Sequence, residues 1–349
     1  MSRLCYISRN YHGRMAAGFK AKQDNEDTVA SMGGVNIGLP RTYGKGKVAG
    51  FLLDLAGIVK SAFAMRKDDV VFLQYPLKKY FKTVCSIARW KGAKTVAVIH
   101  DLGSFRRKRL TEEKEIARLN AADYIIASNE KMGEWLRERG LKSRLGALGL
   151  FDYRSHSEHT LTPSSDLSGN PVLVYAGTVN ARKNGFLMKL AKRKMPFVVH
   201  VYGDCRAIAD MEETGCIKAK GFVKPEEFIA HVKGHFGLVW DGDDTTGCTG
   251  DYGVYLSVNS PHKASFYLRA GLPLIVWRGA AIAPVVEQEG IGLTIDSLDD
   301  LEKLLGGLSA AQLAAMRKNV DRVSKQLADG HYLRTAVENA LDELCSEGE

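Results

Sequence analysis

At 349 residues, the chain is long enough for two domains of about 150–170 residues, each with its own hydrophobic core. Its composition, 45% hydrophobic and 26% charged, is that of a globular protein, and its six cysteines lack the CxxC or CxxH spacing of a zinc site. Residues 1–150 carry 28 lysines and arginines against 14 acidic residues, a net of +14, whereas residues 151–349 are net negative. The basic half favours an anionic partner: lipid headgroups, a pyrophosphate-linked acceptor or nucleic acid.

The first half alternates short apolar runs with helical patterns. It begins directly with a predicted strand, so we expect no signal peptide. Segment 48–65 has apolar residues at helical spacing with Asp54 and Lys60 among them, which predicts an amphipathic helix packed on the core and not a membrane span. Near-continuous apolar strands between helices indicate a parallel sheet. The predicted strands are 4–8, 70–74, 94–99 and 124–127, and the predicted helices are 48–65, 78–91, 111–121 and 130–139.

The second half repeats this alternation after a polar, Ser/Thr-rich stretch. We therefore expect a first domain at 1–150, a linker at 151–170, a second domain at 171–328, and a helix at 329–349 that packs back on the first domain. Ligands of doubly wound sheets bind beyond the carboxyl ends of the strands. The predicted strands are 172–176, 197–202, 221–223, 236–240, 274–277 and 292–295, and the predicted helices are 184–193, 225–233, 261–270, 281–289, 298–305, 309–328 and 331–345.

Segment 251–277 carries the strongest functional signal. A polar loop leads to Ser260-Pro261, which is typical of a helix N-terminus. Unpaired backbone donors and the helix dipole make such a terminus suitable for phosphate, and His262 and Lys263 add cationic groups in its first turn. The alternative is that both are ordinary surface residues of an amphipathic helix.

The order and spacing of residues in this segment resemble a known motif. The residues concerned are Tyr252-Gly253, Tyr255-Leu256, Asn259, Pro261-His262-Lys263, Tyr267-Leu268, Ala270-Gly271 and Pro273. They are similar to the donor-site segment of bacterial GT-B glycosyltransferases, a group with β-1,6-galactofuranosyltransferases and adhesin-GlcNAc glucosyltransferases. The resemblance implies an α/β, GT-B fold of two Rossmann-like, doubly wound parallel-sheet domains that face a central cleft. It also implies that the nucleotide sugar contacts Tyr255, Asn259, Ser260, His262 and Lys263.

Loops after three further strands complete the donor site that the resemblance implies. Gly177-Thr178 and Arg182 belong to an AGTxxxRK pattern in which a small-residue turn and a guanidinium suit a diphosphate. The alternative is a loop cation that faces water. The resemblance also places the nucleotide base near Tyr202, Gly203 and Phe222, although a buried aromatic at a strand end is at least as common.

The acceptor side is predicted in the first domain. His100, Asp101 and Arg106 form an HDLxxxR stretch that resembles the family's acceptor loop. An inverting transferase needs a general base there, and Asp101 or His100 is chemically suited; capping of the next segment by Asp101 is the alternative. The small-residue and basic loop with Gly18, Lys20, Lys22 and Asp24 resembles the family's first loop, and His12 is a second acid/base candidate.

The acidic loop Asp241-Gly-Asp243-Asp244 has two interpretations. A DxD pattern after a strand is also the metal-binding signature of GT-A glycosyltransferases. Two comparable α/β halves, and the cations Arg182 and Lys263 for the diphosphate, argue against it. We therefore expect no metal and no cofactor besides the UDP-sugar donor.

The sequence predicts a nucleotide-sugar-dependent glycosyltransferase (hexosyltransferase). It is expected to move galactofuranose, galactose or glucose from a UDP-sugar to a hydroxyl of a bacterial glycan, glycolipid or glycoprotein, in surface polysaccharide or glycoprotein assembly. The alternative is a catalytically inactive nucleotide-sugar-binding partner subunit. We expect a cytoplasmic protein with peripheral contact to the inner, anionic membrane face through its basic half. A homo-oligomer stays open, and nucleic acid is not an expected partner.

Overall fold

The computed structural model describes residues 2–11, 17–77, 80–107, 110–160, 167, 170–211 and 215–346. The candidate His12 and the side chain of Arg106 lie outside the described part. The chain divides into two compact units: Met1–Asp152 with Asp329–Glu349, and Tyr153–Ala328. The predicted limits of the linker, 151–170, stay a prediction.

A six-stranded parallel sheet is the centre of the first unit. Its strand order is β3-β1-β5-β6-β7-β8, and β2 pairs separately with β4. The register of β5 and β6 runs without interruption from Val70 opposite Lys94 to Tyr75 opposite Ile99. The strands are β1 (Leu4–Tyr6), β2 (Asn10–Tyr11), β3 (Val35–Asn36), β4 (Thr42–Tyr43), β5 (Val70–Tyr75), β6 (Lys94–Ile99), β7 (Tyr124–Ala127) and β8 (Arg144–Ala147).

Helices cover this sheet, whose central strands are buried on both faces. In β7 all four side chains are buried, as expected for a strand between two helical layers. The helices that precede the second unit are α1 (Ala17–Ser31), α2 (Lys47–Ala64), α3 (Phe81–Trp90), α4 (Gly103–Arg107), α5 (Glu112–Leu119) and α6 (Glu130–Glu138).

The second unit has its own six-stranded parallel sheet, in the order β11-β10-β9-β12-β13-β14. Chain order reverses between β9 and β12, so these strands flank the switch point at which doubly wound sheets bind ligands. The strands are β9 (Val172–Ala176), β10 (Val198–Tyr202), β11 (Ile217–Gly221), β12 (Phe236–Val239), β13 (Leu274–Trp277) and β14 (Gly292–Ile295). The helices are α7 (Ala181–Leu190), α8 (Pro225–His231), α9 (Gly250–Tyr255), α10 (His262–Arg269), α11 (Ala283–Glu289), α12 (Leu301–Gly306) and α13 (Ala310–Asp329), with 3-10 turns at Arg206–Met211 and Leu298–Asp300.

The last helix, α14 (His331–Cys345), belongs to the first unit. Leu333, Val337 and Ala340 are fully buried and share one core cluster with side chains of the first sheet. The buried carboxylate of Asp152 accepts hydrogen bonds from the backbone N–H groups of Tyr332 (3.2 Å) and Leu333 (2.8 Å). Asp152 therefore caps the N-terminus of α14 from a distant part of the sequence.

Three predicted elements differ in the structure. Helix α10 begins at His262, because Pro261 has extended backbone angles and occupies the N-cap position without a side-chain cap. The predicted polar loop before it contains helix α9. The predicted strand 221–223 is wrong, since β11 ends at Gly221.

The prediction that segment 48–65 packs its apolar face on the core is also wrong. Helix α2 buries Gly50, Gly57, Ile58 and Ser61 and turns most of its large apolar side chains outward. None of the helices that the structure describes, α2 included, combines the length and the hydropathy of a bilayer-spanning segment.

The cap on α14 gives a first testable prediction. Asp152→Ala leaves two buried backbone donors without an acceptor, so we expect a loss of about 1–2 kcal/mol in the free energy of unfolding of this helix. Hydrogen exchange of the first α14 amides should quicken accordingly. Asp152→Asn, whose amide oxygen still accepts, is the matched control and should retain most of the protection. Equal exchange in Asp152→Ala and the wild type would contradict the capping role.

Candidate active site

Three side chains meet at the switch point of the second unit. Tyr175 lies on β9, Asp241 follows β12, and Lys263 lies in the first turn of α10. The Lys263 Nζ donates to Asp241 Oδ1 and to Tyr175 Oη, both at 2.9 Å. The Tyr175 hydroxyl in turn donates to the same Asp241 oxygen at 2.8 Å. The predicted donor-site lysine is therefore held in a buried ion pair at the edge of the sheet where a ligand is expected.

Helix α7 adds two further side chains. The Nζ of Lys183 lies 3.7 Å from Asp241 Oδ2, and the Asn184 amide donates to Tyr175 Oη and, at 3.5 Å, to Asp241 Oδ1. Asn184 has non-helical backbone angles inside α7. We call Tyr175, Lys183, Asn184, Asp241 and Lys263 the Lys263 cluster. Because two ammonium groups share one carboxylate, the cluster carries one positive charge in excess.

Burial controls the protonation of the cluster. The Lys263 side chain is only 12% exposed. Loss of hydration lowers the pKa of Lys263 to about 8, opposed by the Asp241 carboxylate and assisted by the charge of Lys183. Burial likewise raises the pKa of Tyr175 well above its usual value, so the phenol stays protonated. Lys263 is thus an incompletely compensated ammonium, which a second anion would stabilise.

The loops around the cluster depend on glycine at two turns. Gly203, just after β10, has φ +119°, and a Cβ there would lie 2.3 Å from the carbonyl oxygen of Gly177. Gly242, directly after Asp241, has φ +112°, and a Cβ would lie 2.2 Å from the carbonyl oxygen of Thr249. Side chains are excluded at both positions, so the backbones of neighbouring loops approach each other closely.

The other predicted donor residues lie on the same loops, with different partners. Arg182 is 72% exposed; its guanidinium lies 3.5 Å from Asp251 and 5.7 Å from the ring centre of Tyr252. Gly177 and Thr178 are exposed immediately after β9, and Phe222, just beyond β11, is 73% exposed. Within the described residues, the side chain found beside Lys263 at Asp241 is that of Lys183, not of Arg182.

His262 and Tyr202 are the two ends of an aromatic stack. His262 lies 4.9 Å from the ring of Tyr153, which is 5.2 Å from Phe266. Phe266 stacks on Phe228 at 4.3 Å, and Phe228 meets Tyr202 edge to face at 5.1 Å. This stack supports α10 from the side and connects its first residue with the carboxyl end of β10.

The segment before α10 is largely buried. Tyr255 and Ser260 are buried, so Ser260 is not an exposed helix cap. The side-chain oxygen of Asn259 is buried and has no hydrogen-bond partner among the described residues. An unused acceptor directly before a cationic helix terminus is a feature to be explained by a donor on a ligand.

The acidic loop after β12 does not have the chemistry of a metal centre. Asp241 is engaged by Lys263 and Lys183, and Asp244 pairs with Lys189 at 2.9 Å. No group of three or more His, Cys, Asp or Glu side chains suited to a metal occurs in the part of the chain that the structure describes. Carboxylates already paired with ammonium groups do not fit a divalent cation.

The predicted acceptor residues lie in the first unit. His100 directly follows β6, and its ring stacks on Phe151 at 5.3 Å. Its Nε2 lies 2.8 Å from the Oε1 of Gln74, whose amide nitrogen donates to the Lys22 carbonyl oxygen. Because that contact orients the Gln74 amide, we assign the proton of His100 to Nε2. Asp101 is half-buried next to it.

Two features of the acceptor side were not anticipated. Gly18, Lys20, Lys22 and Asp24 lie on α1 and not in a loop, and Lys20 pairs with the buried Asp24 at 2.5 Å. The fully buried Glu115 accepts from the backbone N–H groups of residues 103 and 104 (2.8 Å each) and from the Tyr75 hydroxyl. Glu115 thus anchors α4, the segment that follows Asp101. The sequence signal for it is an acidic residue on the apolar face of α5.

Comparisons with known proteins agree with this architecture. The N-terminal and C-terminal domain models of the glucosyltransferase 3-like family match residues 4–150 and 173–340. The chain is 25% identical over 333 residues to the β-1,6-galactofuranosyltransferase WbbI of Escherichia coli K12, covering 95% of this chain and 96% of the relative. It is 24% identical over 329 residues to glucosyltransferase 3 of Streptococcus gordonii, covering 88% and 92%.

Solved structures show the same fold. Anabaena HepE, determined in complex with UDP-glucose, is similar with a TM-score of 0.60 at 12% identity, covering 98% of this chain and 100% of that one. The lipopolysaccharide outer core galactosyltransferase WaaB in its apo form gives 0.60 at 13% identity, covering 98% and 99%.

Fold and relatives define the class: this is a nucleotide-sugar-dependent glycosyltransferase of GT-B fold, with two Rossmann-like parallel-sheet domains. More narrowly, the chain belongs to the glucosyltransferase 3-like family. The family resemblance and the fold class predicted from the sequence are confirmed. The roles assigned to individual residues stay predictions.

The buried ion pair gives a second testable prediction. Asp241→Asn leaves the Lys263 ammonium buried without its carboxylate, so we expect the free energy of unfolding at pH 7 to fall by about 3 kcal/mol. Since the folded pKa of Lys263 lies below its unfolded value, the penalty is full below the folded pKa and is relieved as the pH rises toward 10.5. The deficit should therefore shrink by pH 9.5 in urea denaturation.

Asp244→Asn is the matched control, because it removes a carboxylate of the same loop that pairs with an exposed lysine. It should change stability little at either pH. A pH-independent deficit in Asp241→Asn, or equal losses in the two variants, would rule out a buried ammonium as the cause.

Proposed function

We propose that the protein transfers a hexose from a UDP-sugar to a hydroxyl of a bacterial glycan or glycoconjugate. One observation carries the proposal: the Lys263 cluster places an excess buried positive charge at the switch point of the second unit. The donor diphosphate is the anion that matches this charge. The named relatives include a galactofuranosyltransferase and a glucosyltransferase, which supports a hexose as the transferred group.

Lys263 is proposed to act on the leaving group. During transfer, the bond between the anomeric carbon and the β-phosphate oxygen breaks, and the acceptor oxygen bonds to the same carbon. Negative charge grows on the departing UDP, and an ammonium held in place beforehand stabilises it without reorganisation. Lys183 adds a second charge through Asp241, and exposed Arg182 is free of tight packing to close on the phosphates.

No metal is required in this proposal. A divalent cation in other nucleotide-sugar enzymes neutralises the diphosphate, and here the lysines and the N-terminus of α10 are proposed to do so. We further propose that Asn259 accepts a hydrogen bond from the donor and that exposed Phe222 contacts the uracil ring, because these are an unused acceptor and an unburied aromatic beside the strand ends.

Asp101 is proposed as the base that takes the acceptor's proton. His100 is less suited at Nε2, because that nitrogen faces the Gln74 carbonyl oxygen and carries a proton. The Glu115 contacts fix the segment after Asp101, which limits its freedom to turn away. A carboxylate that accepts the proton as the new glycosidic bond forms gives inversion at the anomeric carbon.

A third prediction tests the leaving-group role. Lys263→Met should lower kcat for sugar transfer by about 10²-fold or more, measured as acceptor-dependent UDP release from UDP-galactofuranose, UDP-galactose and UDP-glucose. Lys189→Met removes a lysine from the same unit that pairs with the exposed Asp244, and it should retain activity. Unchanged release in Lys263→Met would remove the lysine from the mechanism.

Asp101→Asn is the second arm of the same experiment. It should lose turnover by a similar factor while UDP affinity, measured by calorimetry, stays at the wild-type value. If it releases UDP as fast as the wild type, Asp101 is not the base. Wild-type protein that binds UDP-sugars but transfers none to any acceptor would instead indicate a binding subunit without turnover.

A fourth prediction follows from the lowered pKa of Lys263. At pH 8.5 much of Lys263 is neutral in the free protein, and a bound diphosphate would restore its charge. UDP binding should therefore take up protons, and UDP affinity should fall by up to about tenfold between pH 7 and pH 9.5. Calorimetry in buffers of different ionisation enthalpy measures the uptake. Lys263→Met should bind without uptake; equal uptake in this variant would assign the proton elsewhere.

A further inference from the structure

Helix α2 presents its large apolar side chains to solvent. Phe63 is 84% exposed, Val48 75% and Leu52 56%. Six of the ten large apolar residues that are exposed in the described part of the chain belong to this one helix, which makes a continuous patch and not scattered single residues. They are Val48, Phe51, Leu52, Leu55, Val59 and Phe63.

The pattern is the reverse of an ordinary surface helix. The exposed residues recur every three or four positions and so form a single stripe along the helix. The opposite side, which packs on the first unit, contains Gly50, Gly57 and Ser61. An amphipathic helix of a globular domain normally buries the large side chains and exposes the small or polar ones. The stripe is therefore available to a partner.

Basic groups surround the stripe, and the acidic residue of the helix faces away. Lys45 and Lys47 are exposed at the start of α2. Lys60 lies beside the stripe, with its Nζ 2.9 Å from the Gly38 carbonyl oxygen. Asp54 pairs with Arg9 at 2.7 Å on the side that packs inward. Helix α3, which contacts α2, exposes Trp90 and Lys82. Apolar side chains edged by lysines are typical of helices that lie in a membrane interface.

We propose that α2 docks the first unit on the surface of an anionic phospholipid bilayer. The apolar stripe enters the boundary between headgroups and acyl chains, and the lysines contact lipid phosphates. Charge decides between this occupant and a second copy of the chain. Two α2 faces brought together would oppose lysine to lysine within a half of the sequence whose net charge is +14, whereas an anionic bilayer complements it.

Vesicle sedimentation of the full chain tests the proposal. Wild-type protein should bind vesicles of phosphatidylcholine and phosphatidylglycerol, and binding should weaken with salt and with omission of phosphatidylglycerol. The variant V48S/L52S/F63S changes three exposed side chains and should lower the partition coefficient at least tenfold. A matched control, A311S/A314S/A315S on exposed positions of α13, should bind like the wild type. K45E/K47E should lose the preference for anionic lipid.

UDP affinity, measured on every variant, verifies that the second unit is intact and separates this proposal from the transferase mechanism. The proposal is overturned if wild-type protein does not bind the vesicles, or if V48S/L52S/F63S binds them as well as the wild type. It is also overturned if the wild type forms a concentration-dependent dimer that V48S/L52S/F63S abolishes and no vesicle binding is seen. The stripe would then be an interface between copies.

Discussion

The ion pair between Lys263 and Asp241 is the contact on which the donor side of this enzyme depends. Its two members are 22 positions apart in the chain and meet because β12 and the following α10 lie next to β9, where the strand order reverses. Tyr175 and Asn184 supply hydrogen bonds to the same carboxylate. A buried pair of this kind rarely adds net stability, since both ions lose hydration, so its value lies in position and charge state.

Asp241 sets the balance between stability and binding. Without it, burial would favour a neutral Lys263, and no cation would be ready for a phosphate. With a stronger anion in its place, the lysine would be satisfied and would gain little from a ligand. The observed arrangement is intermediate, because one carboxylate serves Lys263 at 2.9 Å and Lys183 at 3.7 Å. Such partial compensation is what pre-organised electrostatic sites require.

The sequence predicted the strands and the functional helix better than it predicted side-chain partners. Near-continuous apolar runs such as β7 have few alternatives to a covered parallel sheet, and Ser-Pro before a basic turn indicated where α10 begins to within one residue. Asp241 was interpreted only as part of a DxD pattern, because local spacing contains no information about a lysine on the next helix. Tyr175 was hidden in an apolar strand. Arg182 was paired with Lys263 by pattern, and the structure shows it on Asp251 instead.

Helix α2 shows why periodicity alone cannot orient a helix. The spacing of its apolar residues defines a stripe but does not say which side packs inward. The informative signal was the opposite side, where Gly50, Gly57 and Ser61 allow close packing against the first unit. The protein therefore uses lysine in two physically different ways. Lys263 is buried, so its charge responds to pH and little to salt, whereas Lys45 and Lys47 are exposed, so their attraction to an anionic surface is screened within about 10 Å at ordinary ionic strength. Phosphate recognition in the second unit and surface attachment in the first can consequently vary independently of each other.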